Sequence, residues 1–397
     1  MAQTAAELRG TELGELAALV GQRHQTTRAE LARLTGLARS TVSQRVEQLL
    51  RLGVLIEAGD GVSAGGRPPV LLRLNPAAGV VLAADIGATH SRLALASLSG
   101  HIEAERGLEV DIAAGPDKVL DWLVKRFHEL LEDNQRSPAD VRGIGVGVPG
   151  PVEFATGTVV QPPIMPGWDG VVVPDVLSQF FDAQILVDND VNIMALGEYW
   201  SRGLDDEQVL FVKIATGIGC GIIANGSVHR GADGAAGDIG HLRVADGGDV
   251  VCSCGNTGCL EAVASGAAVA RQLAAEGLDA AYARDVVRLC QAGDTRAVRL
   301  VRLAGKRIGE VLASLVSFYN PSRIILGGAL AILRDDLLAG IRAEVYHRAL
   351  PLATRQLVIE TTASGHRAGV LGGAILGANG ALSPDRLSRW IRSGTPA

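Results

Sequence analysis

Apolar residues recur at helical spacing over positions 13–20, which predicts a first helix. Thr27 and Glu30, three residues apart, form a capping box that opens a second helix over 28–34, and Gly36 is placed to end it. A third helix over 40–52 carries Val42, Val46, Leu49 and Leu50 along one face and Thr41, Ser43, Gln44, Arg45 and Gln48 along the other. The stretch GVLIEAGDGVSAGGRPPVLLRLN then reads as strand, glycine turn, strand. Two short helices around a tight turn, the second rich in hydroxyls and arginine, followed by a hairpin, predict a winged helix-turn-helix over residues 1–78. A helical protein-interaction module with a solvated arginine face would share much of this pattern.

From residue 79 the pattern turns to apolar strands broken by glycine turns. In VVLAADIGATHSRLALAS, a strand ends in Asp85 and turns through Gly87 and Thr89 into a second strand. Such a turn offers backbone N–H groups and a hydroxyl to a phosphate, and a carboxylate to a magnesium ion, although any hairpin can look alike. A second turn, in FVKIATGIGCGIIANG, places Thr216, Gly217, Gly219 and Gly221 between two more apolar strands. Between the two, a strand over 185–187 delivers Asp188, Asn189 and Asp190 to the start of a helix. A carboxylate there can cap the helix or take a proton from a substrate hydroxyl, and position alone leaves both open. Later, SRIILGGAL reads as a strand into Gly327 and Gly328, and AGVLGGAILGANGAL as a helix of small residues; close packing accounts for both as well as a nucleotide-side role does.

Composition and charge sharpen this division. With 397 residues, 47% of them hydrophobic and 20% charged, the chain is an ordinary globular one and is not disordered. Residues 1–80 carry nine arginines, no lysine and seven acids, a net of +2, so the remainder holds −8 of the total −6. A basic module on an acidic body fits contact with double-stranded DNA through the module alone. Arg67, in the extended GRPP turn of the hairpin, is suited to a narrow minor groove. No basic segment followed by an apolar run opens the chain, and the most apolar stretches, 79–88 and 209–224, are short or carry Asp85 and Lys213. The expectation is a cytoplasmic protein with no membrane partner.

In that compartment the cysteines gain meaning. Cys252, Cys254 and Cys259 fall within eight residues on a loop made tight by Gly255 and Gly258, and His241 lies just upstream. Three thiolates and an imidazole complete a closed tetrahedral zinc site, a structural one, whereas reduced and unliganded thiols are the bland alternative. Asp238 and Glu261 flank this knot as acceptors suited to sugar hydroxyls. Cys220 and Cys290 sit singly in apolar surroundings and read as core.

Over essentially its whole length the chain resembles the ROK family of repressors, open reading frames and sugar kinases. The resemblance rests on Asp85-Ile86-Gly87-Ala88-Thr89, on the GVPGPV run at 147–152, on Asn189-Asp190, on Thr216-Gly217-Ile218-Gly219, on the AGDIGH run at 236–241 and on CSCGNTGCLE at 252–261. It implies an α/β, two-lobed actin/hexokinase-like (ribonuclease H-like) body with substrate in the cleft and zinc on His241, Cys252, Cys254 and Cys259. It also implies sugar contacts from Asn189, Asp190, Asp238, His241 and Glu261, with Asp190 the catalytic base in the kinases, and a nucleotide near Asp85, Gly87, Thr89, Thr216, Gly217 and Gly219. On this reading the first lobe spans 79–191 and is completed by 368–397, and 192–367 form the second lobe with the zinc loop and dimerisation elements.

Departures from the kinase pattern bear on activity. Ala88 and His90 replace a Gly and a Lys, Asp238 is shorter by a methylene than the usual Glu, and Ile164 stands where an Asn is expected. The expected function is therefore a sugar-responsive DNA-binding regulator, a repressor of carbohydrate genes, acting as a homodimer or homotetramer. Ser40, Thr41, Ser43, Gln44, Arg45 and Arg67 would face the DNA. The alternative is a sugar kinase that uses ATP and Mg2+ and retains a DNA-binding module. A zinc-stabilised scaffold with neither ligand would leave two sets of site residues idle.

Overall fold

The computed structural model describes residues 5–23, 25–60, 68–88, 90–206, 208–383, 385–387 and 389. At the N-terminal end, α1 (Ala5–Gln22), β1 (Thr26–Thr27), α2 (Arg28–Thr35) and α3 (Arg39–Arg51) precede the antiparallel pair β2 (Leu55–Asp60) and β3 (Val70–Leu74), and β1 pairs with the other edge of β3. Local chemistry sets these limits. The Thr27 hydroxyl accepts from the Glu30 N–H at 3.2 Å, and Gly36 ends α2 in the left-handed region at φ +69°. Val42, Val46 and Leu49 of α3 are buried while Ser40 and Gln44 are exposed. Residues 61–67, with Arg67, and Thr89 lie outside the described residues.

Two five-stranded sheets follow, and the second repeats the topology of the first. The first contains β4 (Val80–Ile86), β5 (His90–Ser97) and β6 (Ile102–Glu109) as an antiparallel meander. After α4 (Pro116–Asp133), β7 (Val141–Val148) adds parallel to β4. The small pair β8 (Val152–Glu153) and β9 (Thr158–Val159), then α5 (Val173–Leu177), lead to β10 (Gln184–Asn189), parallel to β7. α6 (Asp190–Ser201) carries the chain into the second meander, β11 (Gln208–Ile214), β12 (Ile218–Ala224) and β13 (Ser227–Val228). Then come α7 (Leu260–Ala264), α8 (Gly266–Ala275), α9 (Ala283–Gln291) and α10 (Thr295–Tyr319), before β14 (Arg323–Gly327) pairs parallel to β11. Finally α11 (Ala339–Arg348) and α12 (Pro351–Thr354) lead to β15 (Val358–Thr361), parallel to β14, and α13 (Ala368–Ala381) follows. Parallel neighbours need long crossovers, which is where the helices fall. Because the sheets share one strand order, the β4–β5 and β11–β12 turns are equivalent points of the two halves.

The small residues of α13 have a steric cause. A Cβ built on Gly143 or Gly145 of β7 would lie 2.0 Å from the carbonyl oxygen of Gly377 or Gly373. On its other side, a Cβ on Gly197 of α6 would lie 2.0 Å from the Ala368 oxygen, and one on Gly372 would lie 1.7 Å from the Ile193 oxygen. Backbone thus packs directly on backbone, on both sides of α13. Glu198 locks the same junction: wholly buried, it accepts from the Thr362 hydroxyl at 2.7 Å and from the Ala363 and Ser364 N–H groups at 2.8 and 3.0 Å, just ahead of α13. One hydrophobic cluster joins Leu16, Val42, Val46 and Leu72 of the N-terminal module to Val81 and Ala94 of the first sheet and to Val370, Ala374 and Leu387. No helix among the described residues is long and apolar enough to cross a membrane.

Candidate ligand cleft and metal cluster

A cleft of about 620 Å3 opens where the start of α6, the β11–β12 turn and the loop ahead of α7 converge. The junction of β10 and α6 resolves the two roles that position leaves open. Asn189 is the cap: its Oδ1 accepts from the Val191 N–H at 3.0 Å and its Nδ2 donates to the Gly150 carbonyl at 2.9 Å. Asp190 follows as the first helical residue, 4% exposed, and accepts from the Lys213 ammonium. Beneath it, Asp188 is held by Asn192 at 2.8 Å and by two nitrogens of Arg230 at 2.7 and 2.9 Å, and the Arg230 guanidinium lies 3.5 Å over the Phe154 ring. An acid this buried requires such pairing.

The opposite wall is set by glycines. Glu261 accepts from the Ile218 N–H at 3.0 Å, and a Cβ on Gly217 would lie 2.3 Å from its Oε2, so the turn and the carboxylate fit only with glycine there. Gly237, at φ +97°, brings its carbonyl to the Cys220 N–H at 3.0 Å; a Cβ there would lie 1.8 Å from the Cys220 oxygen. That contact presents Asp238, exposed, at the mouth of the cleft. Thr216 is exposed and lines the cleft together with Gly217 and Gly219.

His241 joins the cleft to the cysteines. Its Nδ1 lies 3.5 Å from the Cys252 sulfur, and its Nε2 lies 3.9 Å from an Asp238 oxygen. Cys254 and Cys259 sulfurs are 3.8 Å apart, and the ligand atoms of all four residues fall within 4.8 Å of one another, a group that could hold a metal ion. Gly255 and Gly258, both at positive φ, fold the loop back so that the Gly255 N–H meets the Cys252 carbonyl at 3.0 Å. Cys220 and Cys290 are buried apart from this group, and burial pushes their thiols up to about 12 and about 11.

Not every candidate reaches the cleft lining. Ala88 is the described residue of the β4–β5 turn that does; Asp85 lies behind it, against α13, where a Cβ on Gly369 would sit 2.0 Å from its Oδ2. Gly87 instead shapes the turn, its N–H donating to the His90 carbonyl at 2.9 Å. Burial, and then the charge of Asp190, push the Asp85 carboxyl up to about 7, against the pull of Lys213 and Arg92. Lys213 was visible in the sequence only as a charge interrupting an apolar strand. Asp188 was visible at the head of α6, but its partner Arg230, far along the chain, gave no such signal. On α3, Ser40 and Gln44 are exposed and Thr41, Ser43 and Arg45 half-buried.

These features have parallels. A putative xylose repressor of Caldicellulosiruptor sp. (strain Rt8B.4) is 34% identical over 364 residues, covering 88% of this chain and 91% of that protein. The glucokinase of Halalkalibacterium halodurans is 32% identical over 308 residues, covering 74% of this chain and 93% of the enzyme. In structure, a ROK family transcriptional regulator, a homologue of the E. coli Mlc protein, superposes with a TM-score of 0.81 at 23% identity over 98% of this chain and 99% of that one, so the fold is shared along the whole length. The body accordingly has the actin/hexokinase-like α/β architecture, and because the ROK family model also matches residues 81–379, this chain belongs to the ROK family.

Proposed function

We infer that the chain is a sugar-responsive transcriptional repressor, with a winged helix-turn-helix at residues 1–78 reading operator DNA and a sugar seated in the cleft. The observation that carries this reading is the unbroken packing between the two ends. The hydrophobic cluster of the N-terminal module includes Val370 and Ala374 of α13, and α13 packs backbone to backbone on α6, which begins at Asp190. A ligand that shifts α6 thereby acts on the module, as a repressor requires. The likeness to a repressor over most of both chains supports the same reading. We divide the body into lobes at 79–191 with 368–397, and 192–367, and place the protein in the cytoplasm.

On DNA, α3 presents Ser40, Thr41, Ser43, Gln44 and Arg45 to a major groove and Arg67 reaches a minor groove. One such module makes few base contacts, so a homodimer on an inverted repeat, or a homotetramer, supplies the rest. In the cleft, Asn189, Asp190, Asp238, His241 and Glu261 bind sugar hydroxyls. Zinc fits the four-residue cluster: at Zn–S of about 2.3 Å and Zn–N of about 2.0–2.1 Å, a tetrahedron has edges of about 3.8 Å and 3.6 Å. The Cys254–Cys259 and Cys252–His241 separations are 3.8 and 3.5 Å. With Nδ1 on the metal, His241 keeps its proton on Nε2 and donates it toward the cleft. The metal supplies rigidity there, holding His241 and the loop that leads to Glu261.

The kinase reading draws on the glucokinase likeness and on Asp190 as a base. Fluorescence anisotropy with the chain's own upstream DNA separates the two. D-xylose or D-glucose is expected to weaken DNA binding at least about tenfold, with no ADP release from ATP and magnesium. Zinc-stripped protein is expected to keep DNA binding and lose the sugar response. ADP release in the range of kinases, about 1–100 per second, with DNA binding indifferent to both sugars, would refute the repressor.

A further inference from the structure

Lys213 stands on β11 in register with Gly219 of β12 and Gly327 of β14, so neither adjacent strand offers a side chain beside it. Its side chain is 24% exposed and its ammonium bonds Asp190, whose side chain is 6% exposed. Asp85, near the end of β4, the equivalent strand of the other sheet, is within electrostatic reach of both. Burial works against the ammonium, yet Asp190, Asp85 and Glu261 together raise its pKa above the ordinary value, so it is a charged group among carboxylates. Two carboxylates carried by separate elements, Asp190 in the cleft wall and Asp85 behind it, and in electrostatic reach of one another are the kind of ligand set a hard divalent cation takes, usually with waters completing its shell. Here that set is next to a cation already built into the chain.

We propose that Lys213 is the resident cation of the cleft floor, its ammonium taking the place between Asp85 and Asp190 that a divalent metal ion would otherwise hold, so that the cleft receives a neutral sugar without metal. Asp190, bonded to a permanent cation, then serves as a hydrogen-bond acceptor. A hydroxyl that reaches it meets a donor in Lys213 as well, and such a couple fits an alcohol, which both gives and takes a hydrogen bond. A metal ion entering the site must displace a charge tethered to β11, which is present at a high effective concentration. The same bond ties β11 to the start of α6, so substitution of Lys213 also loosens the junction of the two sheets. The inference goes beyond the repressor reading and is tested without sugar or DNA.

The test is Mn2+ binding to the full-length, zinc-loaded chain at pH 8, followed by electron paramagnetic resonance. The unmutated protein is expected to bind no Mn2+ tightly in the cleft. Lys213→Met should gain one Mn2+ with an affinity at least about tenfold higher, and adding Asp190→Asn should remove the gain. Lys213→Arg, which keeps a cation, should behave as the unmutated chain. Tight Mn2+ binding by the unmutated protein that Asp190→Asn abolishes would overturn the proposal. So would a folded Lys213→Met with no gain in affinity; if that variant does not fold, Lys213→Gln carries the same expectation and the same refutation.

Discussion

Replacing Gly372 by alanine tests the seam between α6 and α13 most directly. The added carbon would lie 1.7 Å from the Ile193 oxygen and 2.9 Å from the Gly197 nitrogen. Since non-bonded heavy atoms settle at about 3.5 Å, the two helices must part by roughly 1.8 Å. A gap of that size forfeits more than about half of the dispersion energy along the seam. Overpacking costs about 1–3 kcal/mol in general, and here the obstacle is a backbone carbonyl that cannot rotate away, so about 3 kcal/mol is expected. For a chain of this size that corresponds to a fall in melting temperature of roughly 3–5 °C. Differential scanning fluorimetry measures it, with Trp200 on α6 as an intrinsic reporter. Gly107→Ala is the control, because a Cβ there meets nothing nearer than 3.8 Å. Should Gly372→Ala melt within about 1 °C of the unmutated protein, as Gly107→Ala is expected to, direct backbone packing would not be what holds the seam.

Two further outcomes are expected. Glu198→Ala leaves the Ala363 and Ser364 N–H groups and the Thr362 hydroxyl without their buried acceptor and should cost about 3 kcal/mol, read by urea unfolding, with Glu198→Gln costing less because its amide oxygen still accepts; equal costs would mean that a neutral acceptor recovers nothing. The Asp85 carboxyl, at about 7 in the folded chain against 3.8 as the ordinary value, holds a proton that the unfolded chain releases, so its contribution to stability is present below about pH 4 and is lost as pH rises to about 7. The melting temperature of the unmutated protein relative to Asp85→Asn should therefore fall between pH 5 and 7 and level off above; a flat difference across that range would show an ordinary carboxylate.

What was legible in the sequence was largely local. Thr27, Glu30 and Gly36 bound α2 because their bonds reach only three or four residues along the chain. The cysteine loop was legible for the same reason, three ligands and two turn glycines lying within eight residues. Asn189 and Asp190 were both visible at the head of α6, but which one caps it depends on the Gly150 carbonyl and on Lys213, brought there by other elements. Asp85 reads in sequence as a cleft residue, yet its carboxylate is set by Gly369 of α13, at the far end of the chain. In α13 itself the spacing of glycines hinted at close packing without saying that both flanks are backbone. The repeated sheet topology was hidden too, since the two meanders share an order of strands and little sequence.

The cluster that runs from α3 into α13 has a consequence for how the protein is made. During synthesis the N-terminal module emerges first, and modules of its size ordinarily fold as they leave the ribosome. Here its apolar residues Leu16, Val42 and Val46 belong to a cluster completed by Val370, Ala374 and Leu387, which are translated near the end. The N-terminal module therefore gains its full apolar support only after the end of the body has been made, so its final packing is tied to completion of the chain.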